Sequence, residues 1–575
     1  MSIKKTCELD TATGRLIGFV DVGHSQEPTD ADNVPLATEA LVFMVVGIAA
    51  PWKMPFGYFL TAGLSGEVLK NLLTEAIHCI SECGLQVVAV VCDCLAANVS
   101  MAKLLGCRVH EQSFEALKTF FPHPSNEEDI IFMIFYACHG LKLLRNLLGD
   151  KGVLLSSTHG RVLWKHLKAL QELQEKEGLR AANKLSKAHI NYYQQVMKVK
   201  LAAQTFSSSV SKALEFASLL KLPGFGNCMG TANFIAMVDR AFDLLNSSNP
   251  VATGFKAPLR PSTLAFQRET MEAASLELMQ LRLANQRLVT QDGRRMSVIA
   301  LAFTLKSVSQ LAEKLLDADL CKYICTRNLN QDPLEMYFSC IRRRGGWNNN
   351  PSAVQFRHAY RQTIVPATIL GSKNANVTAQ TEGICLSRSQ GRPSSDLGDI
   401  YEEQPATLVD ALLEHDYFTL SEYASEVVRY IGGFVVRATS KHLHCAECAA
   451  MLTNDTVTSL LTYIKDNGGL IEPSRFVHAA MCAAETVLRQ GNTKGDNVHK
   501  ITLRAFQQFV KQYEVMLHNC THYSEDPQHV ISLTKVLQKK YVTLRMKEIG
   551  RRRTEQERGA YIRHVLTKRV LFAHQ

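Results

Sequence analysis

An apolar run that ends on a single acid constrains this chain more than any other feature. The segment QVVAVVCDCLAAN, from Gln86 to Asn98, begins like a buried strand, reaches the carboxylate of Asp93 and then takes on the character of a helix. Ligands and metals bind at the carboxyl ends of strands in α/β proteins, so this acid is a candidate ligand. An acid after a strand is also a common turn or helix-capping residue, and Asp93 by itself leaves both interpretations open.

The residues around this run predict a mixed α/β sheet. Strands are expected in GRLIGFVDVG from Gly14 and in EALVFMVVGIAA from Glu39, and a helix in SGEVLKNLLTEAIHCISECG, which stops at Gly84. The Asp93 strand is followed by a helix through Leu105, a loop at FFPHPSNEED and a further apolar run, IIFMIFYAC. This order of elements is compatible with an RNase H-like sheet.

The rest of the chain is predominantly helical by pattern. Residues 141–326 show helical periodicity without a convincing strand, which predicts an all-helical block. Residues 371–405 are rich in Ser, Asn, Gln, Gly and Pro, a composition typical of a flexible linker, and a last helical domain is expected from about residue 407. The predicted fold class is α/β plus all-α, and 575 residues are enough for several domains.

Charge and cysteine content restrict the class of protein. The 64 Lys and Arg against 54 Asp and Glu give a net charge of +10, which favours an anionic partner without proving one. The sixteen cysteines have no framework spacing and many lie in apolar runs, which favours reduced thiols and the cytosol or nucleus. The stretch ALVFMVVGIAAPW is too short to cross a membrane and ends at Pro51, so no membrane is expected among the partners.

A second acidic motif stands at the start of the segment DPLEMYFSCIRR. Helical spacing places Asp332, Glu335 and Ser339 on one face. Nucleases and transposases of the RNase H-like class hold divalent metals with carboxylates, and oxygen ligands suit Mg²⁺. The competing interpretation makes Asp332 the N-cap, with Pro333 at the first helical position and Glu335 completing a capping box. Local chemistry does not distinguish the two.

Four blocks of sequence, in order, resemble the P-element-type transposases. The block NQDPLEMYFSCIRRRGGWNNNPSAVQF (330–356) resembles the signature that carries the catalytic Glu, and VVAVVCDCLAAN resembles the fourth strand with its catalytic Asp. CHGLKLLRN (138–146) resembles the family's Pro-His-Leu-Ile-Lys helix, and YIGGFVVR (430–437) the start of its carboxyl-terminal region. The resemblance covers essentially the whole chain. It implies a Mg²⁺-dependent DNA transposase in which Asp93 and Glu335 are catalytic metal ligands, acting in the nucleus.

The resemblance also accounts for the 242 positions that separate Asp93 from Glu335. In this family a helical guanine-nucleotide-binding domain interrupts the RNase H-like core before the final catalytic helix. The chain contains no Gly-x-x-x-x-Gly-Lys-Ser/Thr motif, so any nucleotide pocket is not a P-loop.

The positions that the resemblance assigns to GTP have side chains suited to phosphates, stacking or base edges. They are Lys184, Lys198, Val199, Ser207, Phe242, Asp243, Asn246 and Asp332. The alternative is that the two lysines are solvated helix charges and Phe242 belongs to the core.

The resemblance predicts five parts along the chain. They are the first part of the RNase H-like core (1–149), the helical GTP-binding-type insertion (150–328), the catalytic helix with the helix after it (329–370), a flexible linker (371–406) and the helical carboxyl-terminal domain (407–575).

Basic residues near the two acids are candidates for DNA binding, because a scissile strand must pass the catalytic carboxylates. They are Lys142, Arg145, Arg342, Arg343 and Arg344. The tail at 541–575 has nine Lys or Arg against three Glu. It is expected either to track DNA phosphates or act in nuclear import, or to be a solvated helix end.

The family's first catalytic Asp lies in a Phe-Asp-Glu-Met segment whose Met corresponds to Met1. The resemblance therefore places that Asp upstream of residue 1, together with the first strand, a zinc finger that reads transposon ends and a dimerising coiled coil. Asp21 falls on the second strand, at a non-catalytic family position. We expect this chain by itself to lack most metal-dependent cleavage. The alternative function is a domesticated, non-catalytic nucleic-acid- or nucleotide-binding protein.

The segment KHLHCAECAAML offers two cysteines, Cys445 and Cys448, beside two histidines. Cys-x-x-Cys with a nearby His binds zinc in some proteins, but a structural site normally pairs two such halves. Candidate second halves, Cys482 or Cys520 with His522, are scattered along the chain. Thiols that pack between helices are the alternative.

Overall fold

The computed structural model describes ten stretches of the chain. They are residues 1–11, 14–23, 34–344, 346, 348–364, 420–443, 445–453, 458–490, 496–519 and 527–572, with residues 519 and 552–572 described in their backbone alone. The chain forms two compact units. Unit 1 comprises residues 1–168, 185–211 and 228–399, and unit 2 comprises 169–184, 212–227 and 400–575. The predicted linker at 371–406 lies outside the described residues.

The described residues contain ten strands of two to ten residues, and all of them belong to unit 1. They are β1 (Glu8–Asp10), β2 (Arg15–Ile17), β3 (Glu39–Val46), β4 (Lys53–Thr61), β5 (Ala89–Cys92), β6 (Phe120–His123), β7 (Asn126–Phe135), β8 (Val153–Ser156), β9 (Gly160–Leu163) and β10 (Arg282–Leu283).

The described helices run through both units. They are α1 (Gly66–Glu82), α2 (Ala96–Leu104), α3 (Ala137–Lys151), α4 (Trp164–Glu177), α5 (Lys187–Ile190), α6 (Val199–Thr205), α7 (Ser208–Leu219), α8 (Met229–Leu244), α9 (Leu264–Gln280), α10 (Met296–Asp317), α11 (Asp332–Arg344), α12 (Ala353–Ile364), α13 (Glu422–Ser440), α14 (Ala446–Thr453), α15 (Leu460–Lys465), α16 (Arg475–Arg489), α17 (Val498–Tyr513) and α18 (Pro527–Phe572). The predicted fold class, α/β plus all-α, is confirmed.

The strand that leads to Asp93 lies in a three-stranded mixed sheet. β5 pairs in parallel with β7, which also pairs with β6 in antiparallel fashion. The predicted loop at FFPHPSNEED is wrong, because this segment supplies β6 and the start of β7. Phe121 and His123 are buried while Pro122 is exposed, an alternation that suits a half-buried strand. The turn residues in the middle of the segment hid a hairpin.

The helix that carries Glu335 packs on the first strands of the chain. β3 and β4 form an antiparallel hairpin, and α11 and α12 cover it. The ring of Tyr58 on β4 lies 4.6 Å from that of Tyr360 and 5.3 Å from that of Phe356, both on α12. The buried side chains of this core are Ile3, Ala37, Ala40, Val42, Leu60, Tyr337, Ile341, Ala353, Phe356, Ala359 and Tyr360. Two parts of the core that are remote in sequence are thus joined by apolar burial.

The block between them is helical but not entirely so. β8 pairs with β9 and β10, which makes the prediction of an all-helical block wrong in detail. Strands of two to four residues are too short to show a period. The central helix α10 is buried along most of its length, and the hydroxyl of Thr304 donates to the carbonyl of Phe135 over 2.9 Å. This helix connects the insertion to the β7 strand.

Unit 2 is helical throughout its described residues, as the pattern predicted. Glu485 on α16 is buried and accepts hydrogen bonds from the phenol of Tyr541 and the guanidinium of Arg545, each over 2.8 Å. Burial acts to raise the pKa of Glu485, but Arg545 and Tyr541 hold it below the ordinary value. Arg545 is therefore not part of a solvated basic tail. Among the described residues, no helix combines the length and apolar character that crossing a membrane requires.

Candidate active site and nucleotide pocket

Asp93 stands directly after β5, as predicted, and is half-buried. Its Oδ1 accepts hydrogen bonds from the backbone N–H of Leu95 over 3.0 Å and from Nδ2 of Asn98 over 2.7 Å. Asp93 therefore acts as a turn residue, as one of the two interpretations predicted. This does not exclude a ligand role, because these bonds occupy one carboxylate oxygen and fix the side chain in place.

Glu335 lies in the first turn of α11 with its side chain exposed. Its backbone N–H donates to the carbonyl of Gln331 over 3.0 Å, so the helix is closed without help from the Glu335 side chain. The carboxylate is left available for a partner outside the helix.

Asp93 and Glu335 both act electrostatically on one residue, Lys142 of α3. Burial lowers the pKa of this lysine, and Glu335 and Asp93 are among the groups that oppose the shift. The amino group of Met1 behaves in the same way: burial lowers its pKa, while Glu335 and Asp93 act to raise it. Two separate cations are thus influenced by the same pair of carboxylates, which come from positions 242 residues apart.

The start of α11 is tied to the end of β7 by a buried hydrogen bond. Tyr136, which follows β7, donates its phenol O–H to Oδ1 of Asp332 over 2.8 Å. The backbone N–H of the same tyrosine donates to the carbonyl of Cys92, the residue before Asp93, over 2.8 Å. Tyr136 therefore holds both the strand end before Asp93 and the start of the helix that carries Glu335.

Asp332 acts as a structural carboxylate in this arrangement. It is only 6% exposed, and Nε of Arg327 donates to its Oδ2 over 3.1 Å. The N–H that a capping Asp332 would bind is bonded to the carbonyl of Gln331 instead, so the structure does not show the capping box. Both oxygens are engaged within the protein, and we therefore leave Asp332 out of the proposed GTP pocket.

The five basic candidates divide by exposure. Lys142 is largely buried, near the two acids. Arg342 is half-buried, and its charge contributes to lowering the pKa of the Met1 amino group. Arg343 and Arg344 are exposed.

Arg145 corrects the expectation of a DNA contact. It is 0% exposed, and its guanidinium donates to the carbonyls of Gln195 and Val196 over 3.3 and 3.2 Å. The same group lies 5.6 Å from the ring centre of Tyr192. A guanidinium held in this way stabilises the packing of α3, and it is not presented to a phosphate.

Two helices of the insertion bring some of the GTP candidates together. Ser207 directly precedes α7, whose first backbone N–H donates to Oδ2 of Asp239 on α8 over 3.0 Å. Asp243 stands one turn later on α8, and its Oδ2 lies 3.8 Å from Nζ of Lys256. Burial raises the pKa of Asp239 to about 6, with a further contribution from Asp243. Asp239 and Lys256 were missed by the sequence interpretation, although the i, i+4 spacing of Asp239 and Asp243 is visible in the sequence.

Phe242 and Asn246 lie beside this group. Phe242 is a half-buried residue of α8, and Asn246 follows the helix, its backbone N–H bonded to the carbonyl of Asp243 over 3.2 Å. The Oδ1 atom of Asn246 is buried and has no hydrogen-bond partner among the described residues. An unsatisfied buried acceptor of this kind is costly and is compatible with a donor supplied by a ligand.

The other three GTP candidates are not shown to join that group. Lys198 is exposed and Val199 half-buried, and they begin α6, which packs on α3. Lys184 is exposed and belongs to unit 2.

Models of known families match four parts of the chain in order. The TNP-like RNase H N-terminal domain matches residues 1–106, and the TNP-like GTP-binding insertion domain matches 138–258. The TNP-like RNase H C-terminal domain matches 328–361, and the C-terminal domain of DNA transposase THAP9 matches 419–551.

Two curated proteins are similar over most of the chain. Human DNA transposase THAP9 is 28% identical over 513 residues, which is 85% of this chain and 55% of that protein. The Transposable element P transposase of Drosophila melanogaster is 27% identical over 446 residues, 75% of this chain and 54% of that protein. The chain spans about half the length of the curated relatives it matches.

One solved structure, the Drosophila P element transposase strand transfer complex, shares the fold. It matches with a TM-score of 0.51 and 23% identity, over 64% of this chain and 75% of that chain. The fold and the order of the matched domains thus define an RNase H-like core of the TNP-like type, interrupted by a GTP-binding insertion domain. Within that class, the chain is similar to THAP9 and to the P element transposase.

Proposed function

We propose that this chain supplies part of the machinery of a transposase that cleaves DNA and transfers strands with a metal ion, with water and then a DNA 3′-hydroxyl as nucleophiles, and that the chain by itself lacks most of the cleavage activity. Asp93 and Glu335 are the proposed catalytic ligands. The observation that carries the proposal is that Tyr136 connects the strand end before Asp93 to the first residue of α11, through hydrogen bonds of 2.8 Å to Cys92 and to Asp332. Two carboxylates brought into one environment by a fold of this class are the arrangement that such chemistry needs.

Mg²⁺ is the proposed metal because the donor set is made of carboxylate oxygens. Mg²⁺ is commonly held by one or two carboxylates together with phosphate oxygens of the substrate. Asp93 and Glu335 supply the protein part of such a set. A bound metal would polarise the phosphodiester and stabilise the attacking and leaving oxygens.

DNA is the proposed substrate. Arg343 and Arg344 are exposed on the helix that carries Glu335, where they can contact phosphates without a change in fold. Arg342 and Lys142 are closer to the acids and are proposed to contact the strand at the site of cleavage. A protein that acts on chromosomal DNA works in the nucleus, and nuclear localisation is part of the proposal.

GTP is the proposed cofactor of assembly and not a source of energy. Ser207, Phe242, Asp243 and Asn246 form the proposed pocket, with Asp239 and Lys256 added from the structure. Carboxylate and amide groups suit the edges of a guanine base, and the lysine suits a phosphate. Lys184, Lys198 and Val199 remain proposed contacts on the basis of the resemblance alone.

A second candidate function is binding of DNA and GTP without catalysis. One observation favours it: within the described part of the chain, no group of three or more acids gathers near Asp93, and the cation Lys142 lies beside the pair. An ammonium in that position competes with a metal for the same two carboxylates. The same architecture would then serve as a binding surface.

The test compares divalent cation binding and DNA nicking in matched variants. Mn²⁺ binding to the chain in the presence of duplex DNA is measured for the wild type, Asp93→Asn, Glu335→Gln and Asp21→Asn. We expect Asp93→Asn and Glu335→Gln to abolish Mn²⁺ binding. Asp21→Asn should preserve it, because Asp21 lies outside the proposed pair and its Oδ1 accepts the backbone N–H of Gly23. Unchanged Mn²⁺ binding in Glu335→Gln would contradict the metal assignment. DNA binding without any Mn²⁺ binding in the wild type would favour the second candidate.

A further inference from the structure

Two cysteines and a histidine meet in unit 2 at distances suited to a metal ion. Cys445 directly precedes α14, Cys448 lies in the first turn of α14, and His529 lies in the first turn of α18. One ligand atom from each residue lies within 4.8 Å of the other two, and Sγ of Cys448 is 2.8 Å from Nε2 of His529. In the described part of the chain, this is the one group of three or more such side chains.

The chemistry of the three side chains selects the ion. Thiolate sulfur and imidazole nitrogen are the preferred ligands of Zn²⁺, with bonds of about 2.3 and 2.0–2.1 Å. Ligand atoms on one tetrahedral zinc ion are therefore separated by roughly 3.5–3.8 Å. The 2.8 Å between Sγ of Cys448 and Nε2 of His529 must lengthen when the ion binds, which a rotation of the exposed imidazole allows. Mg²⁺ and Ca²⁺ prefer oxygen and are not suited to it.

The local backbone already has the form of a metal-binding turn. The carbonyl of Cys445 accepts the N–H of Ala449 over 3.0 Å, and the Cys445 thiol accepts the backbone N–H of Cys448. Cys448 is 1% exposed whereas His529 is exposed, so an ion in this position would be shielded on one side and reachable from the other.

We propose that Cys445, Cys448 and His529 bind a Zn²⁺ ion that links α14 to α18. The fourth position of the tetrahedral ion is filled by water or by a further side chain. The sequence suggested Cys482, or Cys520 with His522, as the second half of the site. Sγ of Cys482 lies 3.3 Å from Nε2 of His478 instead. Cys520 and His522 lie outside the described residues. The site is separate from Asp93 and Glu335, so its failure would leave the proposed transposase chemistry untouched.

The first experiment measures zinc in the purified full chain, free of affinity tag, by mass spectrometry. We expect about one zinc per chain in the wild type and a loss of most of it in Cys448→Ser and in His529→Gln. The matched control is Cys482→Ser, which removes a thiol beside a different histidine and should retain the zinc. Absence of zinc from the wild type after dialysis against Zn²⁺, or wild-type zinc content in Cys448→Ser, would overturn the proposal.

A second experiment does not depend on the folding of a variant with a buried substitution. The wild-type chain is stripped with a chelator and titrated with Co²⁺, which reports thiolate ligands by charge-transfer absorption and tetrahedral geometry by its visible bands. We expect both signals, their displacement by Zn²⁺, and their loss in His529→Gln, whose altered side chain is exposed. A Co²⁺ spectrum without thiolate absorption would show that the group is only a hydrogen-bonded thiol and imidazole.

Discussion

The phenol of Tyr136 donates a 2.8 Å hydrogen bond to the buried carboxylate of Asp332. This bond joins the end of β7 to the first residue of α11, across 196 positions of sequence. Glu335 stands one turn further along the same helix. The position of a proposed catalytic acid therefore depends on a tyrosine and an aspartate that need not touch the substrate.

Tyr136→Phe should loosen this connection. We expect the free energy of unfolding to fall by about 1–3 kcal/mol, because one oxygen of a buried carboxylate loses its donor. The affinity for Mn²⁺ in the presence of DNA should fall as well, since α11 is no longer fixed relative to β5. Chemical denaturation and a Mn²⁺ titration measure the two effects. Tyr192→Phe is the control, because it removes a similar Tyr–Asp bond, to Asp150, at another place in unit 1. Equal loss of Mn²⁺ affinity in both variants would contradict a positioning role.

The double substitution of Arg343 and Arg344 by Gln should weaken binding to DNA of any sequence. Each phosphate contact contributes about 0.9 to the slope of log affinity against log salt, so the slope should decrease by roughly 2. Fluorescence anisotropy over a range of salt concentrations measures it. Replacing Lys547 and Arg551 on α18 is the matched control. If that pair changes the slope and the α11 pair does not, the DNA surface lies elsewhere.

Asp243→Ala should weaken GTP binding. Loss of a hydrogen bond to a charged group costs about 1.5–3 kcal/mol, which corresponds to roughly a 10- to 150-fold loss of affinity. A titration with fluorescent GTP measures the change. Asp317→Ala alters an exposed acid at the end of α10 and should bind GTP like the wild type. Equal affinity in the two variants would remove Asp243 from the pocket.

Asp239 should make stability depend on pH. Burial raises its folded pKa to about 6, from an ordinary value of 3.8. Since the folded protein holds the proton more tightly, the stabilisation is complete below about pH 4 and is lost as the pH rises through about 6. The loss is about 3 kcal/mol. Asp239→Asn should remove it, so the difference in unfolding free energy between wild type and variant should change over this range. A difference that is constant with pH would show that Asp239 is not the responsible group.

Glu485→Gln should destabilise unit 2. Arg545 stays buried without its counter-charge, and breaking such a pair costs about 3–5 kcal/mol. Glu548→Gln breaks the half-exposed pair with Arg180, 3.4 Å long, and should cost no more than about 1 kcal/mol. Urea denaturation compares the two. Similar costs in both variants would mean that burial of the Glu485 pair contributes little.

Local pattern predicted the parts of this fold whose signal is carried by neighbouring residues. The strand before Asp93, the helix at 66–82 and the helix that begins at Asp332 each show their period within a few turns. The short strands β8, β9 and β10 could not be predicted, because two to four residues define no period and their pairing is set by distant partners. The hairpin of β6 and β7 was hidden by its own turn residues.

The sequence by itself indicated the fold class and, through the resemblance of its motifs, pointed to Asp93 and Glu335 as candidate acids, because motif residues are properties of the chain. The tertiary structure decided what each charged group does. Arg145 is buried and donates to backbone carbonyls. Asp332 connects α11 to Tyr136, and His529 lies next to the Cys-x-x-Cys turn. Burial and partner choice depend on contacts between positions far apart in the chain, and such contacts have no local signature.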